Sequence, residues 1–351
     1  MKNPIIESDI QELIKRKKYF EPFIGATILV TGATGLLGSL LVKSLSRYAY
    51  ENNKNIKIYA CCRNKEKFYS VFEGYKIDNI VPIFSDIIDL DISKYTVDYI
   101  IHAASTTDSK DFVEKPVDTI TILVEGTKNL LFQCVEKSIK GFIYLSSLEV
   151  YGTFPGYSGI KNVPETDYGY IEPVSVRSSY SESKRLVETL CKACLSQYGV
   201  PVKIARLCQA FGAGVQYNDN RVFAQFARSV IEGRDIILKT KGETVRNYCY
   251  TTDAIAGILT VLAHGKAGEP YNIANKNTTI SIADMANLFC ELCPKSKSKV
   301  VFDIAEDVGK LGYNPMVKLQ LDSSKLEQLG WKAEIDLEEM IRRLIGSLKN
   351  V

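Results

Sequence analysis

Short apolar blocks alternate along the first part of the chain with segments whose apolar positions recur at helical spacing. Residues 26–31 (Ala-Thr-Ile-Leu-Val-Thr) form one block, and 56–62, 80–84, 97–102, 141–146 and 202–207 form the others. Each is too short and too continuously apolar for a surface helix and reads as a buried strand. Residues 40–48, 117–137 and 181–198 carry the helical pattern between them. Strands apolar on both faces, alternating with helices, predict a parallel sheet covered on both sides. Residues 7–18 predict an amphipathic N-terminal helix, with Ser8 and Gln11 at capping-box spacing and Ile10, Leu13 and Ile14 on one face. Beyond residue 208 the pieces become shorter and mixed, with helices predicted at 223–231, 252–262, 281–292 and 337–348.

Composition narrows the function classes. The 351 residues are 46% hydrophobic and 24% charged, which excludes wholesale disorder. The formal net charge is only +3, so nothing electrostatic favours nucleic acid or an anionic membrane as partner. No apolar run approaches the length of a membrane span, and the N-terminus has no signal-peptide core, which predicts a cytoplasmic chain. Nine cysteines do not read as a disulfide framework. The pairs Cys191/Cys194 and Cys290/Cys293 sit inside helical patterns, and the histidines are His102 and His264 alone. No metal site is expected from them.

The chemistry-bearing residues start at Gly32-Ala-Thr-Gly35-Leu-Leu-Gly38. This run follows a buried strand and opens a helix, the setting in which Gly32, Thr34, Gly35, Leu36, Leu37 and Gly38 can cradle a dinucleotide diphosphate. An NAD enzyme usually has an acid at the end of the next strand, where this chain has Arg63-Asn64. A guanidinium there suits a 2′-phosphate, so NAD or NADP is expected, with Arg63 leaning to NADP. Further on, Ser146-Ser147-Leu-Glu149 ends a strand and Tyr180-Ser-Glu-Ser-Lys184 starts a helix. Tyr180 and Lys184 share a helix face, and an ammonium near a phenol favours the phenolate, so Tyr180 is the expected base. Ser147 is placed to bond the same substrate oxygen. If the chain stays extended after Ser147, Glu149 looks into the same cleft.

With these residues the chain resembles the extended short-chain dehydrogenases/reductases, specifically the nucleotide-sugar epimerases, dehydratases and decarboxylases. The likeness spans 26–345 and rests on TGATGLLG (31–38), SDIID (85–89), HAAS (102–105), EGTKNLL (125–131), SSLEVYG (146–152), YSESK (180–184), ARLCQAFGAG (205–214), NDNRVFAQF (218–226), GETVRNYCYTTDA (242–254) and YNIAN (271–275). It implies that Asp86 and Ile87 flank the adenine and that Ala103, Ala104 and Ser105 line the cofactor. It further implies that Ser147, Tyr180 and Lys184 form the catalytic triad, that Arg246 clamps the sugar-nucleotide diphosphate, and that Arg221 lies beside the nucleotide. The departures are Gln209 for the usual Asn, Ala213 for Pro and Leu123 for Asn. Leu148-Glu149 stands where dTDP-glucose dehydratases have Asp-Glu, and the Arg-rich C-terminal segment of the decarboxylases is replaced by Asn314-Pro-Met-Val-Lys-Leu-Gln-Leu-Asp322.

The resemblance thus implies an α/β, Rossmann-type doubly wound parallel sheet with a smaller mixed α/β C-terminal substrate lobe. The division is a helical extension (1–24), an NAD(P)-binding domain (25–208) and an interleaved substrate lobe (209–351). The expected reaction is transient oxidation of a sugar C4 hydroxyl with bound NAD(P), ending in epimerisation, dehydration (with Glu149 as base at C5) or decarboxylation. The alternatives are an NADPH-dependent 4-keto-sugar reductase and a non-catalytic NAD(P)-binding scaffold. A homodimer is expected through a four-helix bundle of helices 117–137 and 181–198, with Ile120, Ile122, Leu123, Leu130, Leu131, Leu186, Leu190, Cys194 and Leu195 as its apolar residues.

Overall fold

Most of the apolar blocks become strands that bury both faces, whereas the block at 80–84 buries Ile80 and Ile83 and leaves Val81 and Phe84 exposed. The computed structural model describes residues 2–106, 108–305 and 316–349. Its strands are β1 (Thr27–Thr31), β2 (Lys57–Cys62), β3 (Ile80–Phe84), β4 (Tyr99–His102), β5 (Gly141–Ser147), β6 (Lys161–Val163), β7 (Val202–Leu207), β8 (Gln209–Phe211), β9 (Ile236–Leu238), β10 (Val245–Tyr250), β11 (Pro270–Ile273), β12 (Asn275–Ser281), β13 (Val300–Phe302) and β14 (Leu319–Leu321). The helices are α1 (Pro4–Lys15), α2 (Leu36–Glu51), α3 (Lys65–Val71), α4 (Asp111–Glu114), α5 (Pro116–Val135), α6 (Ser178–Tyr198), α7 (Val222–Ile231), α8 (Thr251–His264), α9 (Ile282–Leu292), α10 (Ser324–Glu327) and α11 (Leu337–Leu348).

Seven strands pair in the order β11-β7-β5-β4-β1-β2-β3, and every pairing is parallel. Alternate residues feed two cores. Ile28, Val30, Ile143 and Leu145 enter the one shared with α2 and α8. Leu29, Phe142 and Tyr144 enter the one shared with α5 and α6. This is the Rossmann-type sheet with helices on both faces that the periodicity predicts. A third core gathers α7, α9 and α11 around Phe211, Tyr248 and Tyr250. It belongs to the smaller mixed lobe, built on the three-stranded sheet β12-β10-β8. The seventh strand of the main sheet, β11, comes from beyond this lobe's first strands and lies parallel to β7. Among the described residues no helix is long and apolar enough to cross a membrane.

The N-terminal helix differs from its predicted bounds. Asn3 caps it, its Oδ1 accepting from the amides of Ile5 (3.1 Å) and Ile6 (3.4 Å), and Pro4 takes the first position. Ser8 therefore lies inside the helix and donates to Glu12 instead of capping. Asp9 on the buried face accepts from Tyr250 Oη (2.5 Å) and Arg343 Nη1 (2.7 Å). Arg16, just after α1, pairs with the buried Asp253 of α8 at 3.0 Å. The helix thereby straps the first sheet's layer to the second lobe.

Candidate active site

All seven strands of the main sheet run the same way, so the segments following β1, β2, β4, β5 and β7 emerge on one edge, the edge where such sheets bind ligands. The glycine run is the first of these. Gly32 has a φ of +66°, and a Cβ there would lie 2.8 Å from the Ala103 carbonyl oxygen. A Cβ on Gly38 would lie 2.2 Å from the Gly32 carbonyl oxygen. Only glycine lets the turn close against the end of β4 and lets α2 start so near it. Gly35 caps α2 without a side chain. The amides of Leu36, Leu37 and Gly38 thus begin the helix uncapped, with Thr34 half-buried in the turn before them.

His102 locks this turn to the next segment. Thr127 Oγ1 donates to Leu123 O (2.6 Å), so it accepts from His102 Nε2 (3.0 Å). His102 Nδ1 then accepts from Thr31 Oγ1 (2.8 Å), whose oxygen takes the Ala104 amide (3.1 Å). Burial pushes the imidazole down to about 3, so it stays neutral and the chain of bonds keeps this sense. Ala103 and Ala104 are held behind Gly32, and Ser105 donates to Thr106 O.

At the ends of β2 and β3, Arg63 is 73% exposed in its side chain and lies 3.6 Å from Asp86. Asn64 turns away from the expected ligand, because its Oδ1 accepts from the Lys67 amide (2.7 Å) and caps α3. Asp86 accepts from the Ile88 amide (3.1 Å). Ile87 packs so tightly on α5 that a Cβ at Gly126 would come within 2.6 Å of it.

The centre lies between β5 and α6. Tyr180 is buried with its ring stacked on Phe112 at 4.2 Å. Burial, and then the Glu149 charge, hold its phenol well above the usual range, while the Ser147 and Ser105 hydroxyls lower it. The expected depression by Lys184 is not the dominant influence. Lys184 is itself buried, which brings it down to about 7. Among the described residues its Nζ has one hydrogen-bond partner, Leu145 O at 2.7 Å, and it stands 5.6 Å from the Tyr180 ring centroid.

Glu149 departs from expectation. The chain does not stay extended after Ser147. Ser147 Oγ accepts from the Glu149 amide (3.2 Å) and caps a 3-10 turn over Leu148–Tyr151. The turn swings the Glu149 carboxylate onto Arg177 and Ser181, where Nη2 donates at 3.0 Å, Nη1 at 3.1 Å and Ser181 Oγ at 2.8 Å. Arg177 also lies 4.9 Å over the Phe112 ring. Neither Arg177 nor Phe112 was singled out in the sequence. Arg177 stands three residues before Tyr180, a spacing that shares a helix face, whereas Phe112 has no local signal.

A second buried set lies beneath. Arg206, fully buried, donates from Nη2 to Glu188 Oε2 (2.6 Å) and to Tyr168 Oη (2.9 Å), and from Nη1 to Tyr151 Oη (3.0 Å). Glu188 accepts from Ser146 Oγ (2.6 Å). These bonds fix the end of β5 against α6 and β7.

Beyond β7, Gln209 and Arg246 lie on the paired strands β8 and β10. Gln209 Oε1 and Arg246 Nε are buried with no hydrogen-bond partner among the described residues. Arg221, at the start of α7, holds Asp219 with Nη2 2.6 Å from Oδ2. Cys191 and Cys194 are buried on α6, and among the described residues no group of three or more His, Cys, Asp or Glu is placed to hold a metal.

With this geometry in view, comparison with known proteins is specific. The family described as NAD dependent epimerase/dehydratase matches residues 28–274. The chain is similar to UDP-glucuronic acid decarboxylase 5 of Arabidopsis thaliana, 30% identical with 89% of this chain and 86% of the relative covered. It is 27% identical to the dTDP-D-glucose 4,6-dehydratase of Homo sapiens, over 91% of this chain and 88% of that one. In fold it resembles the UDP-glucuronic acid 4-epimerase of Bacillus cereus solved with NAD, with a TM-score of 0.74, 22% identity, and coverage of 92% and 97%.

Proposed function

The chain belongs to the NAD dependent epimerase/dehydratase family, and from that premise we propose that it oxidises the C4 hydroxyl of a UDP-linked uronic acid and releases the C5 carboxylate as CO2. The single observation that carries the choice is the state of Glu149. Its carboxylate is held by Arg177 and Ser181, and Leu148 replaces the acid that would precede it. Dehydration needs a base for the C5 proton and an acid for the C6 hydroxyl, whereas loss of CO2 from a 4-keto acid needs no base and leaves an enolate that takes up a single proton at C5. The similarity to UDP-glucuronic acid decarboxylases supports the same reading.

The residues fit a dinucleotide. The Gly32 turn leaves no room for a Cβ and exposes the amides that start α2, which suit the diphosphate. Asp86 and Ile87 would take the adenosine, and Ala103, Ala104 and Ser105 the middle of the cofactor. Lys184, with an ammonium that has one protein partner among the described residues, would take the ribose hydroxyls beside the nicotinamide. When bound, the cofactor supplies a reversible hydride store, so the reaction has no net redox change. Tyr180 Oη, a phenol in the ligand-free protein, would give up its proton once the positively charged oxidised cofactor and the substrate are bound, and would then accept the proton of the C4 hydroxyl while Ser147 Oγ holds that oxygen in place. Arg63, exposed and held by Asp86 alone among the described residues, turns to a 2′-phosphate, favouring NADP.

Residues 25–208 would carry the dinucleotide, 209–351 the nucleotide sugar and 1–24 the strap between them. The homodimer would use α5 and α6 through a stripe that keeps Ile120 and Leu186 of the expected residues. Leu123, Leu130, Leu131 and Cys194 face the chain's own core, whereas Val117, Ile120, Phe132, Leu186 and Tyr198 face outward.

A second reading, C4 epimerisation of the same uronate, is favoured by the lack of arginine between Met316 and Asp322, where decarboxylases are arginine-rich. Residues 314 and 315 of that stretch lie outside the described residues. Incubation with UDP-, dTDP-, GDP- and CDP-sugars followed by mass detection decides. Loss of CO2 from UDP-glucuronate supports the proposal, and an isomer of equal mass supports the second reading. Loss of water or gain of two hydrogens overturns both.

A further inference from the structure

Strand β10 carries a buried hydroxyl that the roles described so far leave unused. Parallel pairing sets Tyr248 opposite Gln209, so their side chains leave the two strands on the same face. Asn247 points the other way, its Nδ2 donating to Leu321 O and its Oδ1 accepting from Leu321 N, each at 3.0 Å. The pairing of β10 with β12 shifts register between Arg246 and Tyr248, yet the Arg246 charge still acts on the Tyr248 phenol, so the two side chains lie near one another on the Gln209 side. The Tyr248 ring is fully buried and meets Phe211 edge-on at 5.6 Å. Phe211 stacks on Phe223 at 4.6 Å, and the Arg221 guanidinium lies 4.8 Å from that last ring. The three rings thus run from the neighbourhood of Arg246 to Arg221, the two arginines expected beside the nucleotide.

Tyr248 Oη, Arg246 Nε and Gln209 Oε1 are all buried, and none has a hydrogen-bond partner among the described residues. Arg246 also forms no ion pair among them. Buried polar groups are nearly always paired, and a phenylalanine would fill the space of the Tyr248 ring without leaving a hydroxyl bare. Burial pushes the phenol up to about 12, tempered by the nearby Arg246 charge, so at neutral pH it is a donor. An unpaired donor beside an unpaired cation matches an anionic oxygen, and the adjacent unpaired acceptor matches a hydroxyl. A nucleoside diphosphate sugar offers both.

We propose that the Tyr248 hydroxyl is a substrate contact, donating with Arg246 Nε to a diphosphate oxygen while Gln209 Oε1 accepts from a hydroxyl of the same ligand. This rests on the nucleotide-sugar reading above. It adds Tyr248, which had no expected role, as a residue that sets affinity for the nucleotide.

The test is calorimetric titration of the NAD-loaded protein with UDP, for the wild type and Tyr248→Phe. The variant should bind UDP about tenfold more weakly or worse, the loss expected for a hydrogen bond to a charged group. Its NAD affinity should be unchanged. Without UDP its melting temperature should equal or exceed that of the wild type, because a bare buried hydroxyl has gone. A merely structural hydroxyl would instead lower the melting temperature, and that result overturns the proposal. Equal UDP affinity in the two proteins also overturns it, while leaving the nucleotide-sugar reading intact. A wild type that binds none of UDP, dTDP, GDP and CDP overturns that reading and this contact together.

Discussion

Arg177 and Glu149 form a two-pronged ion pair, Nη2 to Oε1 at 3.0 Å and Nη1 to Oε2 at 3.1 Å, with side chains only 15% and 16% exposed. The same guanidinium covers Phe112, which stacks on Tyr180, so the pair backs the Phe112–Tyr180 stack. Arg177→Met takes the cation from a largely buried carboxylate and should cost about 3 kcal/mol in urea unfolding. Adding Glu149→Gln should restore most of that loss, and failure to restore it would show that the arginine acts through Phe112 instead. Glu149→Gln alone should keep product formation within about tenfold. A stall with reduced cofactor accumulating would instead assign Glu149 to proton transfer at C5.

Tyr180→Phe removes the proposed proton acceptor but keeps the ring on Phe112. It should fold, bind cofactor and lose at least about a hundredfold in turnover. Near-normal turnover would remove Tyr180 from the mechanism.

Lys184 makes stability depend on pH. Burial lowers its ammonium to about 7, whereas in the unfolded chain it titrates near about 10.4. Between these values the unfolded chain holds more protons, so stability should rise with pH across the window, and the deficit should be complete below about 7. Lys184→Met should flatten this slope and melt higher than the wild type at neutral pH, while losing activity. Parallel thermal melts from neutral pH upward read the difference directly.

Arg63 should make NADP bind at least as tightly as NAD. Arg63→Ala should weaken NADP more than NAD, measured by quenching of protein fluorescence. A wild type with a clear preference for NAD would mean that the guanidinium stays on Asp86.

Val117, Ile120 and Leu186 are 71%, 43% and 53% exposed on adjacent helices, the apolar surface that the proposed dimer would cover. Light scattering at micromolar concentration should give a dimer mass, and Ile120→Glu with Leu186→Glu should give the monomer. A monomeric wild type would refute the interface.

Six of the main sheet's seven strands were legible as continuous apolar blocks, β1 with its glycine turn the clearest, whereas the four-residue β11 was not. The smaller lobe was less legible. Strands β6, β8, β9, β13 and β14 have three residues each, too few for an alternating pattern to emerge from chance. Ser147, Tyr180 and Lys184 were named from spacing, and the structure gathers them between β5 and α6. The direction of Glu149 was not legible, because one hydroxyl, Ser147 Oγ, decides between an extended chain and a capped turn. Nor was Tyr248. Its character depends on what surrounds the hydroxyl, and Arg246, Gln209 and Phe211 meet it only once β8 and β10 pair.

The late arrival of β11 governs how the chain must be made. On the ribosome, β7 has a partner on one side only until Pro270–Ile273 has emerged, after the whole of β8 to β10 and α8. During that interval a row of bare amides and carbonyls stands open to any passing strand. A gene cut after residue 208 makes that exposure permanent. The half proposed to carry the dinucleotide is therefore not a portable module, and fragments of it should aggregate where the whole chain stays in solution.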